Sequence, residues 1–460
     1  MFIAIPEKVE FILNKLLDSG YEAYAVGGCV RDVLLDRIPG DWDITTSAKP
    51  EQVKKLFKRT IDTGIQHGTV TVMLEKEGFE VTTYRIDGEY EDSRHPKSVE
   101  FTTNLIEDLK RRDFTINAMA YNHVTGIVDK FGGMEDLKRK RIVCVGNPEE
   151  RFSEDALRML RAIRFSGQLG FEIEEHTKDA IAKLASTIQN ISAERIRVEL
   201  DKLLCAKYPD RFFIAHKTGL TDYILPEFNL MMDTPQNNPN HIDVVGVHCI
   251  KALLAFHNEV AVSGQYKELY DDHKLYSALC WAIFLHDVGK PAMRTTDENG
   301  VDHFRGHDEE GSKMVKIILK RLKFDNYTVN MVSQLIRWHD YRYELTPKAI
   351  RRAMNKIGGE IIFPLISLQY ADVLAQSSYQ KEAKLIRLEK SKKLMEERIA
   401  NKEAFTLKDL AVNGNDLIKA GVAPGKEVGD VLKSLLERVL EDPEQNQKEI
   451  LLNSLKLNKN

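Results

Sequence analysis

The sequence predicts an α+β fold, in which an N-terminal head with a mixed β-sheet is followed by helices to the end of the chain. Two observations predict it. Over about the first 140 residues, apolar runs with a period of two alternate with turns, which favours strands at 24–26, 42–46, 68–74, 79–85 and 99–102. Beyond Glu150, apolar residues recur at the 3.6-residue spacing of a helix.

The same patterns predict the helices and the domain limits. The first twenty or so residues form an amphipathic pattern, and short helices fit residues 30–35, 51–58 and 115–121. The Pro- and Asn-rich stretch 232–240 is the best candidate for a linker. We therefore expect a head, a helical neck, a body with linker, a further helical domain and a helical tail, at 1–140, 141–205, 206–240, 241–375 and 376–460.

Composition narrows the classes of function. The 460 residues carry a formal net charge of −4, so contact with nucleic acid must come from local basic clusters such as 110–112 and 138–141. The five cysteines lie far apart without a C-x-x-C pair, which indicates a reducing compartment. The N-terminus does not read as a signal peptide, and no apolar run reaches the length of a membrane span. We expect a cytoplasmic protein that does not enter a membrane.

The most informative stretch is GGCVRD followed by DWDIT. Gly27 and Gly28 stand at a predicted strand-to-helix corner, where backbone amides and Arg31 can meet a triphosphate. Asp41 and Asp43 are two residues apart on a predicted strand, so their carboxylates point to the same face. Paired carboxylates of this kind hold Mg²⁺ for in-line phosphoryl transfer. Together the two halves predict nucleotidyl transfer.

Further candidates follow along the head. Glu80 lies in FEVTTYR, a strand that can return to the face of the aspartates and supply a third acid; the alternative is an ordinary exposed glutamate. Arg112 and Asp113 precede a predicted helix, where they can meet a phosphate and a ribose, although Asp113 can also simply cap the helix. The polar stretch around 92–96 reads either as a functional mobile loop or as a featureless surface loop.

The segment SEDALRMLRAIRF predicts a helix that can read bases. Ser153 is its predicted N-cap, with Asp155 in the first turn. Asp155 accepts and Arg158 donates a hydrogen bond, a pair that matches the amine and ring nitrogen of cytosine and adenine and mismatches uracil and guanine. Arg161 and Arg164 remain for phosphate or for positioning that pair. The alternative is a surface ladder of ion pairs.

With these residues in hand, the chain resembles bacterial class II tRNA nucleotidyltransferases, the CCA-adding enzyme family. The resemblance runs from about residue 24 to about residue 170, through YAVGGCVRD, GDWDITT, TGIQHGTVTV, FEVTTYRIDGEYEDSRHP, RRDFTINAMAYN and RFSEDALRMLRAIRF. It implies a nucleotidyltransferase head followed by helical neck, body and tail. The loop at 92–96 matches an element needed for the final A, which argues against an enzyme that adds only CC.

The resemblance also implies roles for individual residues. Asp41 and Asp43 hold Mg²⁺, with Glu80 as a proposed third carboxylate. The residues expected to meet the nucleotide are Gly28, Arg31, Arg112, Asp113, Asp155, Arg158, Arg161 and Arg164. Bacterial poly(A) polymerases are close relatives, but TGIQHGTVTV departs from the glycine and consecutive basic residues typical of their heads.

A second metal site is predicted downstream. The order of His248, His286–Asp287 and Asp372, with the segments LHDVGKP and RGHDEEG, resembles the HD phosphohydrolase superfamily and predicts an HD domain. Imidazole with carboxylate suits Mn, Fe, Ni or Zn. His307 and His339 can be further ligands of a dinuclear site or contacts to phosphate. A vestigial domain that only helps to grip RNA is the alternative.

The sequence therefore predicts template-independent addition of C, C and A to the 3′ end of tRNA from CTP and ATP. Two alternatives stay open at this point. One is an enzyme that adds only A to tRNA or other RNA, and the other is an HD phosphohydrolase whose head merely binds nucleotide or RNA. No obligate protein partner is evident from the sequence.

Overall fold

The structure is a computed structural model that describes residues 3–88, 99–260 and 271–457. The predicted loop at 92–96 lies outside the described residues. The chain divides into two compact units, Met1–Asn229 and Leu230–Asn460. The first holds a mixed sheet and the second is almost wholly helical, which confirms the predicted fold class.

A seven-stranded sheet forms the centre of the first unit, in the order β3-β4-β5-β2-β1-β8-β9. The pair β2–β5 is parallel, whereas the other pairs are antiparallel. The strands of the unit are β1 Ala23–Val26, β2 Ile44–Thr46, β3 Thr60–Gly64, β4 Thr69–Leu74, β5 Glu77–Thr83, β6 Arg85–Asp87, β7 Val99–Phe101, β8 Met119–Asn122, β9 Gly126–Asp129, β10 Arg141–Ile142 and β11 Glu172–Ile173.

Helices surround this sheet and continue beyond it. The helices that begin in the unit are α1 Glu7–Asp18, α2 Gly28–Leu34, α3 Pro50–Leu56, α4 Leu105–Lys110, α5 Gly133–Arg139, α6 Pro148–Glu154, α7 Leu157–Leu169, α8 Glu175–Leu184, α9 Ala193–Leu204, α10 Phe212–Lys217, α11 Thr221–Ile224 and α12 Pro226–Met232. Helix α1 presents Ile12 and Leu16 to a core that also contains Val70 and Val81 of the sheet. Burial of these apolar side chains stabilises the packing of α1 on the sheet. The predicted acidic residues lie on the opposite face of the sheet.

Two local predictions in the head are wrong. Residues 115–121 do not form a helix: a 3₁₀ turn at Thr115–Asn117 is followed by β8, which pairs with both β1 and β9. Every residue of β8 is buried, so sheet pairing overrides the local helical pattern. The strand predicted from Trp42 begins only at Ile44, because regular pairing with β1 starts there. Asp41 and Asp43 therefore lie in the extended segment just before the strand.

The single helix predicted from Ser153 is also wrong. Helix α6 ends at Glu154, Asp155 is extended (φ −143°, ψ 102°), and α7 begins at Leu157. The Asp155 carboxylate accepts a hydrogen bond from the Leu157 backbone N–H at 3.1 Å. Asp155 thus accepts from the first backbone N–H of α7, whose N-cap is Ala156, and Ser153 lies within the preceding helix rather than at an N-cap.

The second unit is built from helices and one two-stranded ribbon, β12 Thr295–Thr296 with β13 Asp302–His303. Its helices are α13 Val245–Ala255, α14 His273–Leu285, α15 Lys290–Met293, α16 His307–Arg321, α17 Asn326–Trp338, α18 Pro347–Ile357, α19 Gly359–Ala375, α20 Lys381–Ala400, α21 Gly414–Lys419, α22 Lys426–Glu441 and α23 Lys448–Leu457. Among the described residues, no single helix has the length and apolarity of a membrane span; α18 and α19 pass that test only as a pair bent by 105°.

Candidate functional site

Three carboxylates of the head lie on one face of the sheet. In the parallel pair β2–β5, Ile44 is opposite Val81, and both side chains are buried. Asp43 and Glu80 each come one residue earlier, on the other face, and Asp41 is near enough for its charge to act on the Asp43 carboxyl group. Both residues are accessible to solvent as a whole, although surrounding groups partly desolvate the Asp43 carboxyl group. The predicted grouping of Asp41, Asp43 and Glu80 thus has a geometric basis in the strand register.

The electrostatics of Asp43 reflect this grouping. Partial burial of its carboxyl group raises the pKa of Asp43, and the negative charges of Asp41 and Glu80 raise it further, while Arg112 acts to lower it. In the part of the chain described, the three acids do not bring their oxygens within 4.8 Å of one another. Mg²⁺ commonly takes only one or two protein carboxylates, with waters and substrate phosphates as its other ligands. The donor set therefore fits Mg²⁺ bound together with a triphosphate.

Arg112 lies against the glycine turn beside these acids. Gly27 has φ +82°, and a Cβ at this position would stand 3.0 Å from a terminal guanidinium nitrogen of Arg112. The Arg112 guanidinium is 3.6 Å from the buried Asp108 carboxylate, and its Nε is buried without a hydrogen-bond partner. Glycine is therefore required here for conformation and for space. Arg112 is left with unused hydrogen-bonding capacity next to Asp43.

Arg31, by contrast, is directed into the protein. Its guanidinium donates to the Asn117 side-chain oxygen at 2.7 Å and pairs with Asp32 at 2.8 Å. The same group lies 5.0 Å from the centre of the Phe165 ring. The structure thus places Arg31 where it fixes α2 to its neighbours, whereas Arg112 is the guanidinium that abuts the glycine turn.

Asp113 connects the head to the neck helix α7. One carboxylate oxygen accepts from the Phe114 backbone N–H at 2.8 Å and from Asn117 at 3.1 Å, and the other accepts two bonds from Arg161, at 2.6 and 2.8 Å. Burial alone would raise the pKa of this carboxyl group, but the Arg161 charge and these hydrogen bonds lower the pKa of Asp113 to about 2. Asp113 is thus ionised and fully paired; it does not cap a helix as the alternative expected, since the following 3₁₀ turn has Phe114 as its N-cap, but it holds that turn through the Asn117 side chain.

The predicted base-reading pair is held by other side chains. Asp155 pairs with Arg195 at 2.7 Å. Arg158 pairs with Glu154 and donates to the Arg111 carbonyl oxygen at 3.0 Å. Asp155 and Arg158 are close to each other. The groups with which they would bind a base are, however, already hydrogen-bonded to other residues of the protein.

Arg164 is the most deeply buried of the neck arginines. It pairs with Glu199 and donates to Gln168 at 2.9 Å. The Phe165 ring has the guanidinium groups of Arg161 and Arg164 at 5.4 and 4.0 Å from its centre. The arginines of this helix thus form a packed, charge-balanced layer rather than a solvated ladder.

A second cluster lies in the second unit, on helices α13, α16 and α19 and at the ends of α14 and α17. The described residues contain two triads that could each hold a metal ion, with all ligand atoms within 4.8 Å: His248, His286, Asp287 and Asp287, His307, His339. Asp372 joins the first triad, with its carboxylate 2.9 Å from His248 Nε2 and 3.7 Å from His286 Nε2. The six residues predicted from the sequence are therefore brought together.

Charge in this cluster is strongly coupled. Burial acts to lower the pKa of His286, but the Asp287 carboxylate outweighs it and raises the pKa of His286 well above its ordinary value. Lys290 lies 2.7 Å from Asp287 and donates to Gln236 at 2.7 Å. A buried group of histidines and carboxylates of this composition suits divalent transition metals.

Comparison with known proteins begins with family models. Residues 23–143 match the model described as the poly(A) polymerase head domain. Residues 170–232 match "Probable RNA and SrmB-binding site of polymerase A", and residues 309–455 match domain 2 of tRNA nucleotidyltransferases. The three matches leave 144–169 and 233–308 between them, and the second of these stretches carries four of the six residues of the second cluster.

Full-length relatives decide the family. The CCA-adding enzyme of Lacticaseibacillus paracasei is 37% identical over 93% of this chain and 90% of its own length. The chain belongs to the CCA-adding enzyme family. The CCA-adding enzyme of Lactobacillus helveticus is likewise 37% identical, over 95% of this chain and 93% of its own. Among solved structures, the CCA-adding enzyme of Bacillus stearothermophilus in complex with CTP has a TM-score of 0.68 and 30% identity, covering 98% of this chain and 97% of that one.

Membership of this family confirms the resemblance inferred from the sequence. The protein is a nucleotidyltransferase. Several residues that the structure brings to the site were not predicted from the sequence. Asp108 is fully buried and accepts from Thr45 at 3.1 Å, while Arg195 and Glu199 reach the neck helix from α9. Arg195 and Glu199 are four residues apart, which places them on one face of a helix. This spacing is the sequence feature that could have identified them.

Proposed function

We propose that the three carboxylates and Arg112 form the catalytic centre of a CCA-adding tRNA nucleotidyltransferase, which adds C, C and A to the 3′ end of tRNA from CTP and ATP. The observation that carries this proposal is the position of Arg112, a guanidinium with unused donor capacity, between the Gly27 turn and Asp43. A cation beside a cluster of acids matches the mixed charge of a metal–triphosphate complex.

Each residue then has a part in the reaction. Asp41 and Asp43 would hold the divalent ion, with Glu80 adding negative charge at the same face. Mg²⁺ held by these carboxylates would supply the positive charge that favours deprotonation of the terminal tRNA hydroxyl and stabilises the departing pyrophosphate. Arg112 binds the triphosphate, and Gly27 leaves room for it. Asp113 keeps Arg161 in place at the junction with the neck.

Base selection is proposed for Asp155 and Arg158. A bound cytosine or adenine would replace Arg195 at the Asp155 carboxylate and Glu154 at the Arg158 guanidinium, because its exocyclic amine donates and its ring nitrogen accepts. Without nucleotide, Arg195 donates to the Asp155 carboxylate, and Glu154 accepts from the Arg158 guanidinium. Neither charge is therefore buried without a partner. The neck therefore reads C and A without a template.

Asp155→Asn is expected to lower the preference for CTP over UTP about tenfold or more, because a base-specific hydrogen-bonded pair contributes about 1–3 kcal/mol of discrimination. The measurement is kcat/KM for single-nucleotide addition with each triphosphate. Glu150→Gln is the matched control, since this α6 carboxylate only meets Asn147 on the surface. Equal preference in Asp155→Asn and the unmodified protein would contradict the assignment.

Arg112→Gln is expected to raise the KM for CTP and ATP about 10- to 100-fold, since a charge-assisted phosphate contact contributes about 1.5–3 kcal/mol. Initial rates over a range of triphosphate concentrations provide the measurement. Arg139→Gln serves as the control, because this exposed residue forms an ion pair with Glu135 on the surface of α5. An unchanged KM in Arg112→Gln would remove it from the triphosphate site.

The proposed activity is tested with tRNA that ends at the discriminator base. We expect CTP alone to give two added nucleotides, ATP alone to give none, and both together to give three. Addition of A without prior C, or a long run of A, would instead identify the A-adding alternative.

A second activity is proposed for the histidine cluster. His248, His286, Asp287 and Asp372 are supported as ligands of a divalent transition metal by their buried convergence. Such a centre suits hydrolysis of a phosphoester. We also propose that the protein acts in the cytoplasm, where its tRNA substrate is found; its five cysteines, all without disulfides in the structure, fit a reducing compartment.

A further inference from the structure

We propose that the terminal nucleotide of the tRNA lies across strands β5, β4 and β3 of the head, where the Thr71 and Thr63 hydroxyl groups bind its ribose 2′-hydroxyl. This inference rests on the catalytic centre proposed above. It adds a position for the second substrate and a pair of residues that distinguish an RNA end from a DNA end.

The first line of evidence is the order of groups across the head sheet, in which β3, β4, β5, β2 and β1 are consecutive neighbours. The Gly27 turn follows β1, and the Val26 backbone N–H at the end of β1 donates to the Asp43 carbonyl oxygen at 3.0 Å. Glu80 lies on β5, which pairs with β2, and Thr71 is the direct partner of Glu80 on β4. The Gly27 turn, Asp43, Glu80 and Thr71 therefore follow one another in this order across the sheet.

The Thr71 side chain shares the face of the acids. Directly opposite residues of an antiparallel pair point to the same face, so Thr71 lies beside Glu80. Val70 and Val72 alternate with Thr71 and are buried in the core on the other face. A Cβ at Gly78, two residues before Glu80, would stand 2.9 Å from the Thr71 methyl carbon. Glycine at this position therefore leaves the space that the Thr71 side chain occupies.

The geometry of phosphoryl transfer decides which substrate lies on which side of the acids. The attacking and departing oxygens lie on opposite sides of the phosphorus atom. Arg112, beside the Gly27 turn, binds the triphosphate in the proposed centre, so the pyrophosphate departs towards β1. The tRNA hydroxyl then approaches from the side of β5 and β4. Adjacent strands are about 4.8 Å apart, which places Thr71 roughly 10 Å from Asp43 on that side.

The second line of evidence is the chemistry of the hydroxyl groups on this face. Thr63 Oγ1 and Thr71 Oγ1 are 2.8 Å apart, and this pair is exposed. Among the described residues neither hydroxyl makes another hydrogen bond. A bond between two hydroxyls uses one of their two hydrogens, so the pair retains a donor as well as lone pairs. A ribose 2′-hydroxyl also donates and accepts, and its presence is what distinguishes RNA from DNA.

A second threonine pair supports the first from within the sheet. Thr69 Oγ1 and Thr82 Oγ1 are 3.0 Å apart, in a partly buried position next along the same two strands. Because these hydroxyls are less accessible, they fix the polar character of the face, and the exposed pair of Thr63 and Thr71 makes the contact with the ribose.

The absence of charge on these side chains suits a strand that moves. Three nucleotides are added in succession, so each new end takes the place that the previous end occupied. A hydrogen bond between neutral groups contributes less than one made by a charged group. Threonine hydroxyls can therefore orient the terminal ribose during one addition and release it before the next.

A tRNA with a 2′-deoxy end tests the proposal. tRNA that stops at the discriminator base is prepared with ribose or 2′-deoxyribose in its last residue, and kcat/KM for tRNA is measured at saturating CTP. We expect the unmodified protein to prefer the ribose end about tenfold. Thr71→Val replaces the hydroxyl with a methyl group. It should lower kcat/KM for the ribose end about tenfold and leave that for the deoxyribose end within about twofold.

Three further variants accompany Thr71→Val. Thr71→Ser keeps the hydroxyl and should keep the preference. Thr63→Val, at an exposed strand position that suits valine, should reduce the preference about threefold and tests the pair should Thr71→Val be unstable. Thr60→Val is the matched control, because Thr60 lies on β3 opposite the buried Val72 and thus on the other face. This control should match the unmodified protein.

The outcomes separate the inference from the proposal on which it rests. No preference for the ribose end in the unmodified protein would overturn the inference. Equal losses for both ends in Thr71→Val, or a preference that neither Thr71→Val nor Thr63→Val alters, would do the same. A failure of the unmodified protein to extend either tRNA would instead contradict the proposed catalytic centre itself.

Discussion

Asp43→Asn is expected to lower the rate of CMP addition to tRNA about 1,000-fold or more. The amide keeps the shape of the side chain but removes the charge that holds the divalent ion, and an ion at the reacting phosphate contributes several kcal/mol, with about 1.4 kcal/mol for each factor of ten in rate. Single-turnover addition at saturating CTP measures the effect, so that a change in tRNA binding is not mistaken for a change in chemistry.

The control for this variant is Asp62→Asn. Asp62 lies on β3 of the same sheet, is exposed and pairs with Lys54 at 2.8 Å. Because its charge lies outside the acidic face, this variant should retain the rate of the unmodified protein. Addition by Asp43→Asn at a rate within tenfold of Asp62→Asn would contradict a role for Asp43 in catalysis.

Asp113→Ala is expected to lower the free energy of unfolding by about 3–5 kcal/mol, because it leaves the Arg161 guanidinium partly buried without its main partner. The Asn117 amide and the Phe114 N–H lose an acceptor at the same time. Urea denaturation followed by circular dichroism gives the measurement. Asp62→Ala, which removes an exposed ion pair, should cost less than about 1 kcal/mol.

The contribution of Asp113 should also depend on pH with a defined sign. Its pKa is about 2 in the folded protein and about 3.9 in an unfolded chain, so the unfolded state binds the proton more tightly. This stabilisation, about 2–3 kcal/mol, is fully present above about pH 5 and is lost as pH falls towards 2. The difference in stability between the unmodified protein and Asp113→Asn should therefore change little from pH 6 to pH 5 and shrink by about 1 kcal/mol by pH 3. A constant difference would show that Asp113 is not preferentially ionised in the fold.

Sequence patterns were sufficient where the determining interactions are local. The glycine turn at Gly27 requires a positive φ, and the short helix after it begins as expected. Alternation along each strand orients the acids of GDWDIT and Glu80, whereas the parallel pairing of β2 with β5 that brings them together is a long-range contact. The segment 115–121 was mispredicted because its last residues pair with β9, the next strand of a hairpin, and with β1, which is almost 100 residues away in the sequence. Local periodicity contains no information on that pairing.

The partners of the charged residues could not be predicted from the sequence, for the same reason. Asp155 meets Arg195 and Arg164 meets Glu199, contacts that span 40 and 35 residues of the chain. Motifs identified the neck arginines, but only the packing of α9 against α7 shows what neutralises them. The inward position of Arg31 likewise depends on Asn117, 86 residues away.

The histidine cluster could be predicted from the sequence in part. The order of its residues along the chain was informative, and all six converge. Their division into two triads about Asp287 depends on how the ends of α14 and α17 meet the start of α16, which spacing alone does not define. For His286, His307 and His339, the backbone carbonyl oxygen that accepts from ring Nδ1 lies three residues earlier in the chain, which is a local feature.

The most direct test of the catalytic centre is a crystal structure of the protein with CTP and Mn²⁺, in which anomalous scattering locates the ions. We expect an anomalous peak bound by the Asp41 and Asp43 carboxylates and by triphosphate oxygens, with the Arg112 guanidinium on the triphosphate next to Gly27. A triphosphate bound elsewhere, or both aspartates directed away from every ion, would contradict the account.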